Sequence, residues 1–311
     1  MKRIQSRSYY KLLILLAGLV WVQMGRAEYY SAAQNRLGHY LGISIGGGEC
    51  NNVGKTDLPV KHRLGWTAEL AVRSEMQYRN WAGGLGVEGA CQTLNNSTAF
   101  TDNLNRIDMD GDAFNYQYVY TAFAEKDLLA NIAIPIYVGK QFNHVYTLLG
   151  LAVEIPIWAR YTTNTNMYTQ GIYEWSISPV VSDATNDFSP LGFYPASDYT
   201  YTDNYQERLR LTPFLEVGYE FLNTNRVNMR AGAYASYAIP IMTPKTVALA
   251  DYTAIDCNPN TQNQQNMEQN IRWNPIGISD KYLATEYKLE VGVKLTVLFN
   301  ILGKGECMCL E

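Results

Sequence analysis

Histidine is the residue of this sequence most suited to acid–base chemistry near neutral pH. His39 and His144 fall at the ends of predicted strands, which leaves His62, between Lys61 and Arg63. No serine or aspartate stands at a recognisable catalytic spacing from His62. We interpret His62 as a surface residue and expect a protein that is not an enzyme.

A cluster of carboxylates at Asp108, Asp110 and Asp112 could in principle ligate a hard cation such as calcium. An EF-hand loop starting at Asp108 would need glycine at its sixth position and glutamate at its twelfth, where this chain has Ala113 and Val119. The cluster is therefore interpreted as a solvated acidic turn. We expect no metal site and no cofactor.

Most other charged residues that the pattern singles out stand at every second position of segments whose remaining positions are apolar. In the clearest case, odd-numbered apolar residues from Tyr287 to Phe299 alternate with polar and charged residues from Glu286 to Thr296. Such a segment is a strand with one apolar and one polar face. The charged side chains of all these segments would share one enclosed polar network: Glu69, Arg73, Glu75, Glu88, Glu154, Arg208, Arg210, Glu216, Glu220, Arg230, Glu286, Lys288, Glu290 and Lys294.

Eight segments with this alternation are predicted to be strands. Their apolar faces lie within Leu41–Ile45, Leu64–Val72, Trp81–Val87, Ile132–Val138, Leu149–Ile157, Leu209–Phe221, Val227–Ile239 and Tyr287–Phe299. Short turns near 77–80, 141–143 and 223–225 alternate with long connections at about 49–61, 93–126, 161–206 and 243–280. Bacterial outer-membrane barrels show this alternation of short periplasmic turns and long extracellular loops. The sequence predicts an all-β fold, a transmembrane antiparallel up-and-down β-barrel of about eight strands, with ten as the alternative if 114–123 adds a hairpin.

Aromatic residues fall near the predicted strand ends, where an interfacial belt would place them. The predicted belt contains Trp66, Tyr78, Trp81, Tyr219, Phe221, Tyr237, Tyr287 and Phe299.

The first 27 residues are expected to be a signal peptide. A basic leader with Lys2 and Arg3 precedes the apolar run 12–22, and Gly25–Ala27 provides small residues for cleavage. We expect the barrel domain over residues 28–300, a short periplasmic tail over 301–311, and location in the outer membrane. The net charge of −4 gives no reason to expect a nucleic-acid partner.

The five cysteines would enter a compartment that permits disulfides. Cys307 and Cys309 lie in the tail, and Cys50, Cys91 and Cys257 on one predicted side of the barrel. The favoured bridge joins two of these three, and Cys50 with Cys91 is the specific prediction.

Tyrosines and small polar residues are concentrated in the third long connection. Rigid rings with adaptable polar neighbours are typical of recognition surfaces, although the same residues would also suit loops packed over the barrel mouth. The predicted recognition residues are Tyr168, Tyr173, Trp175, Tyr199, Tyr201 and Tyr205.

Two segments resemble the outer-membrane β-barrel proteins of Bacteroidetes, the PorT-like group related in architecture to OmpX and OmpA barrels. They are Leu129–Gly139, with its leucine and isoleucine-proline pattern, and Glu290-x-Gly292-x-x-Leu295-x-Val297, similar to a last-strand signal read by the barrel-insertion machinery. The chain departs from the family by continuing past Phe299. The resemblance covers about residues 37–300 and implies contact with outer-membrane lipid and with the insertion machinery.

An eight-stranded barrel is filled by its own side chains, so the charged network is interpreted as a packed polar core. The leading hypothesis is recognition of an extracellular ligand or envelope protein through the loops, or an accessory role in an envelope complex. A small-solute porin or transporter is the first alternative. A hydrolase or acyltransferase at the lumen mouth, using His62, is the second.

Overall fold

The computed structural model describes residues 38–53, 59–107, 113–173, 196–224, 226–241, 248–251, 271–276 and 287–301. The predicted signal peptide and all but the first residue of the predicted tail lie outside these ranges, as do Asp108–Asp112, Trp175, Cys257 and Glu286. Within the described ranges, no helix is both long and apolar enough to cross a membrane.

Strands make up nearly all of the described chain. In chain order they are β1 (Gly38–Val53), β2 (Lys61–Arg63), β3 (Gly65–Tyr78), β4 (Trp81–Ile107), β5 (Ala113–Phe142), β6 (Val145–Tyr173), β7 (Ser197–Asn204), β8 (Arg210–Asn223), β9 (Val227–Pro240), β10 (Ala250–Asp251), β11 (Arg272–Trp273) and β12 (Tyr287–Asn300).

Eight of the described strands close into a ring. The strands β1, β3, β4, β5, β6, β8, β9 and β12 each pair antiparallel with the next, and β12 pairs with β1. Sequence neighbours are therefore spatial neighbours, as in an up-and-down barrel. Closure leaves no free edge in the ring. The prediction of an antiparallel barrel of eight strands is confirmed.

The two faces of the wall follow the predicted alternation. The apolar positions point outward, where Ile43, Ile136 and Val293 are 53, 64 and 68% exposed, whereas Ser44, Arg73 and Glu216 are buried inside. A contiguous exposed apolar surface of this extent marks contact with a partner or a membrane. Around a closed ring, an outward apolar band is the pattern of a transmembrane barrel.

Exposed aromatic rings border this band at both ends. Tyr78, Trp81, Tyr219, Phe221 and Phe299 lie at the end with the short turns, which we call the short-turn end. Trp66 and Trp158 lie toward the opposite end, the long-strand end. Trp158 was not among the predicted belt residues.

Three neighbouring strands are far longer than the sequence predicted. β4, β5 and β6 contain 27, 30 and 29 residues, whereas about 9–11 residues suffice to cross a bilayer. The predicted long connections at 93–126 and 161–206 are therefore strand over much of their length. The segment 114–123 lengthens β5 and adds no hairpin to the ring, so the ten-stranded alternative is wrong.

The parts of β4, β5 and β6 that continue past the barrel form a sheet together with β7, which pairs with Arg160–Met167 of β6. We call it the sheet extension and define it as β4 from Asn95, β5 up to Asp127, β6 from Arg160, and β7. The sheet extension projects from one side of the barrel at the long-strand end.

Glycines on the inner face let side chains pack directly on the wall. Gly218 and Gly232 are partners across β8 and β9, and the Tyr146 hydroxyl lies over both. A Cβ at Gly218 would lie 2.3 Å from the Ala231 carbonyl oxygen and 2.5 Å from the Gly232 Cα. Backbone atoms cannot give way there as a flexible side chain would.

Gly218→Ala should therefore destabilise the barrel by roughly 1–3 kcal/mol, the usual cost of overpacking. Gly89→Ala is the matched control, because a Cβ at Gly89 would meet nothing within 4 Å, and its effect should stay within about 0.5 kcal/mol. Urea unfolding of both variants in detergent micelles measures the difference. Equal midpoints would contradict this account of Gly218.

Candidate functional site

The lumen at the short-turn end is organised around a buried carboxylate. Glu75 is 0% exposed and lies on β3. Arg230 donates to both of its oxygens, with Nη2 at 2.6 Å from Oε2 and Nη1 at 3.1 Å from Oε1. The Tyr137 hydroxyl donates to Oε2 at 3.0 Å and Gln77 Nε2 to Oε1 at 2.8 Å. This forked pairing satisfies a carboxylate that burial would otherwise make costly.

A second pair crosses the barrel beside the first. Arg73 Nη1 lies 3.3 Å from Glu216 Oε2, and the Tyr146 hydroxyl donates to Glu216 Oε1 at 2.8 Å. The Arg230 guanidinium stacks over the Tyr146 ring at 4.7 Å. Tyrosines thus bridge the two ion pairs into one network.

Farther from the short-turn end, lysines form ion pairs with the lumen carboxylates. Lys294 Nζ lies 2.8 Å from Glu69 Oε1 and 3.0 Å from Glu88 Oε2. Lys288 Nζ lies 2.9 Å from Glu154 Oε2.

Gln92 joins this region to Glu290. Gln92 accepts from Lys288 Nζ at 2.6 Å and donates to Glu290 Oε2 at 2.8 Å. The Tyr234 hydroxyl donates to Glu290 Oε1 at 2.6 Å. Hydrogen bonds of 2.6–2.8 Å therefore link Lys288 to Tyr234 through Gln92 and Glu290.

The structure places the predicted network residues that it describes inside the protein. Arg208 is buried just before β8 begins, and the others lie on barrel strands. Sequence reasoning left out Tyr137, Tyr146 and Gln92. The alternation could have found Tyr137, because it stands between the outward residues Ile136 and Val138.

The lumen is packed with these side chains. The cavity among Glu69, Arg73, Gln92 and Glu154 has a volume of about 40 Å³, which is small beside the roughly 300–1,000 Å³ of typical ligand pockets. Mixed charges in close pairs hold the walls together, as expected for a barrel of this size. The described lumen forms a polar core.

At the long-strand end, aromatic residues pack on the inner face of the sheet extension. This aromatic cluster includes Phe100, Phe114, Tyr116, Tyr118, Tyr120, Phe123, Met167 and Tyr173. Residues 248–251 and 271–276, which we call the cap, cover it with Leu249, Ile271, Trp273 and Ile276. The cap contains the small β10–β11 pair.

Trp273 anchors the cap. Its Nε1 donates to the Tyr120 hydroxyl at 3.3 Å, and its carbonyl oxygen accepts from the Tyr161 hydroxyl at 2.5 Å. The Tyr199 and Tyr201 rings lie 6.1 and 5.9 Å from its ring. The cap is therefore bound to both β5 and β7, and the sheet extension has a packed interior of its own.

Most of the predicted recognition tyrosines take part in this packing. Tyr173 is only 1% exposed within the aromatic cluster, where its ring stacks on Phe114 with centroids 5.2 Å apart. Tyr199 and Tyr201 are half-buried against the cap. Tyr168 lies on the opposite, outward face and is half-buried.

Tyr205 also packs inward, against Cys50, Leu94, Leu129 and Ala159. Burial, with the nearby Asp127 and Glu207 carboxylates, raises the pKa of Tyr205 well above its usual value. The phenol therefore stays protonated and donates to Glu207 Oε2 at 3.1 Å. Arg210 Nη2 pairs with the other Glu207 oxygen at 3.2 Å.

The outward face of the sheet extension carries amides and hydroxyls joined across strands. Gln170 Nε2 donates to Gln117 Oε1 at 2.7 Å, and the Thr200 hydroxyl donates to Asn164 Oδ1 at 2.8 Å. Further bonds join Thr121 to Asn166 at 2.6 Å, Asn166 to Asp198 at 2.8 Å, and Thr162 to Thr202 at 3.2 Å. We call this surface the polar face.

The predicted disulfide between Cys50 and Cys91 is absent, and both thiols are free. Cys50 is buried on the inner face, with its Sγ 3.1 Å from the Thr93 carbonyl oxygen, whereas Cys91 is exposed on the outer face. Side chains on opposite faces of a strand wall cannot meet without moving the backbone.

His62 lies on β2 opposite Asn96 in the pairing with β4. Its Nδ1 is hydrogen-bonded to Asn96 Oδ1 at 2.8 Å. The contact joins register partners and helps hold the short strand β2 to the sheet.

The closed ring, the outward apolar band and the filled polar lumen define a transmembrane antiparallel β-barrel protein. No protein-family profile and no curated protein matches the sequence. Among solved structures, one match is Ail, the attachment invasion locus protein of Yersinia pestis, in complex with the heparin analogue sucrose octasulfate. That match covers 83% of this chain and 99% of that chain, at 10% sequence identity and a TM-score of 0.25.

Proposed function

We propose that the protein is a non-enzymatic outer-membrane barrel that works by recognition, through the sheet extension on the extracellular side. Strands of 27–30 residues in β4–β6 carry this proposal, because they project a sheet far beyond the band that meets lipid. Long strands and loops lie outside the cell in barrels of this class, and short turns lie in the periplasm.

The packing of the sheet extension supports a binding role. Its inner face is filled by the aromatic cluster and the cap, so the outward polar face is held by a rigid support. Surfaces fixed before binding lose less entropy when a ligand arrives.

The filled lumen argues against the porin alternative. Conduction would need a continuous water path, whereas the paired charges leave a cavity of about 40 Å³ among them. We therefore expect no single-channel conductance from the purified protein in a planar bilayer. Reproducible channels would contradict the packed lumen.

Cell adhesion tests recognition directly. A trimmed variant lacks residues 98–123 and 168–196, and an Asn-Gly dipeptide closes each gap. The deletions end at antiparallel partners, since Ser97 pairs with Ala124 and Met167 with Ser197. Two-residue Asn-Gly turns suit such antiparallel partners. The trimmed variant serves as control only if it keeps the heat-dependent gel shift of a folded barrel.

Cells producing the full protein should be retained on at least one surface among mucin, collagen and agarose-linked polysaccharides. Cells producing the trimmed variant should not be retained there. Equal retention of both kinds of cell on every surface would overturn the recognition function.

A further inference from the structure

We propose that the polar face binds a neutral polysaccharide, laid flat across β5, β6 and β7. This inference rests on the proposed recognition function and names its ligand class. Three features of the described residues carry it: the side-chain chemistry of the face, its lack of a charged cluster, and an apolar strip between two polar rows.

The chemistry of the face is that of amides and hydroxyls. Between Arg160 and Ile172 on β6 the outward positions are Thr162, Asn164, Asn166, Tyr168 and Gln170, and these alternate with buried positions. Amide and hydroxyl groups both donate and accept hydrogen bonds. A sugar hydroxyl needs this double capacity, because it too is a donor and an acceptor.

Charge is sparse on this face. At the described outward positions of β5 to β7 in the sheet extension, the charged residues are Lys126, Arg160 and Asp198. Lys126 and Arg160 lie at the end of the face nearest the barrel, and Asp198 accepts from Asn166 at 2.8 Å. An anionic polymer would require clustered arginine or lysine. The face therefore favours an uncharged ligand.

A short apolar strip on β5 and β6 lies between two of the polar rows. Tyr168 on β6 is the register partner of Val119 on β5. On one side of this strip lies the bonded pair Gln170 and Gln117, and on the other side the bonded pair Thr121 and Asn166. A pyranose ring has apolar C–H faces and a polar rim, so the ring can lie on Tyr168 while its hydroxyls reach the two rows.

The polar rows are regularly spaced, and their side chains are already held in place. Neighbouring strands lie about 4.8 Å apart, and outward side chains along one strand lie about 6.6 Å apart. Cross-strand hydrogen bonds already orient these side chains. Binding would therefore freeze few rotamers, which matters for a weakly held neutral ligand.

Affinity electrophoresis of the full-length, detergent-folded protein tests the proposal. Native gels would contain dextran, glycogen, mannan or xylan as neutral polymers, and heparin or polygalacturonate as anionic ones. We expect retardation by at least one neutral polymer, equal at low and high salt, because no ion pairs are involved.

Tyr168→Ala should weaken the apparent affinity for that polymer by about tenfold or more, as for a truncated aromatic anchor. Tyr168→Phe keeps the ring and should bind like the wild type. The double variant Gln117→Ala with Gln170→Ala removes one polar row and should also lose binding. All variants should keep the heat-dependent gel shift, because none of these residues lies in the barrel wall that meets lipid.

Two results would overturn the proposal while leaving recognition intact. Retardation only by heparin or polygalacturonate, lost at high salt, would assign an anionic ligand. Cell retention on collagen without retardation by any neutral polymer would point to a protein ligand. Retardation that is unchanged in Tyr168→Ala would place the binding site elsewhere and would also overturn it.

Discussion

Replacing Glu75 with alanine is expected to destabilise the folded barrel by roughly 3–5 kcal/mol, the usual cost of removing one partner from a buried ion pair. Arg230 would keep its charge in the lumen and lose both short hydrogen bonds, at 2.6 and 3.1 Å. The Tyr137 hydroxyl would also lose its acceptor. Urea unfolding in detergent micelles or liposomes measures the change in unfolding free energy.

A second substitution distinguishes the cost of leaving Arg230 unpaired from the cost of lost packing. The double variant Glu75→Ala with Arg230→Met removes the uncompensated guanidinium and should recover a large part of the lost stability. Glu49→Ala is the surface control, because Glu49 is exposed on β1, and should change stability by no more than about 0.5 kcal/mol. A double variant as unstable as Glu75→Ala would contradict this account.

Replacing Trp273 with alanine is expected to release the cap from the sheet extension. Truncation of a buried tryptophan costs roughly 3–5 kcal/mol, and Trp273 is 2% exposed. The barrel ring should stay folded, because among the described strands β10 and β11 pair with each other and not with the ring. Chymotrypsin should then cleave at the exposed aromatic cluster much faster than in the wild type.

Trp273→Phe is the matched variant for the cap. It keeps most of the ring contact with Tyr199 and Tyr201 and removes only the donor to the Tyr120 hydroxyl at 3.3 Å. It should therefore cost about 1 kcal/mol and raise chymotrypsin cleavage only slightly. Cleavage of Trp273→Ala at the wild-type rate would show that other contacts hold the cap.

The sequence predicted the barrel because its signal is local. Each barrel strand alternates apolar and polar residues, so Val291, Val293 and Leu295 could be assigned outward and Glu290 and Lys294 inward without knowing any strand partner. The structure confirms these assignments. The short turns could be predicted for the same reason, since they interrupt the alternation.

The sheet extension was missed because its composition resembles that of a loop. Its outward residues, such as Asn164 and Asn166, belong to a type depleted in strands, and the tyrosines of the same segment suited a recognition surface equally well. Their burial depends on the cap, which comes from a segment about a hundred residues further along the chain. Nothing within 161–173 indicates that Tyr173 is covered.

The sequence by itself determined the class of fold, the outward face of each predicted barrel strand and most of the charged content of the lumen. The tertiary structure alone decided which charges pair, that Cys50 and Cys91 stay apart, and that the polar face stands on a packed support. Glu75 and Arg230 are 155 residues apart in the chain, and their meeting depends on the stagger of strands around the ring. A period-two pattern fixes the direction of a side chain, whereas its partner across the lumen is fixed only when the ring closes.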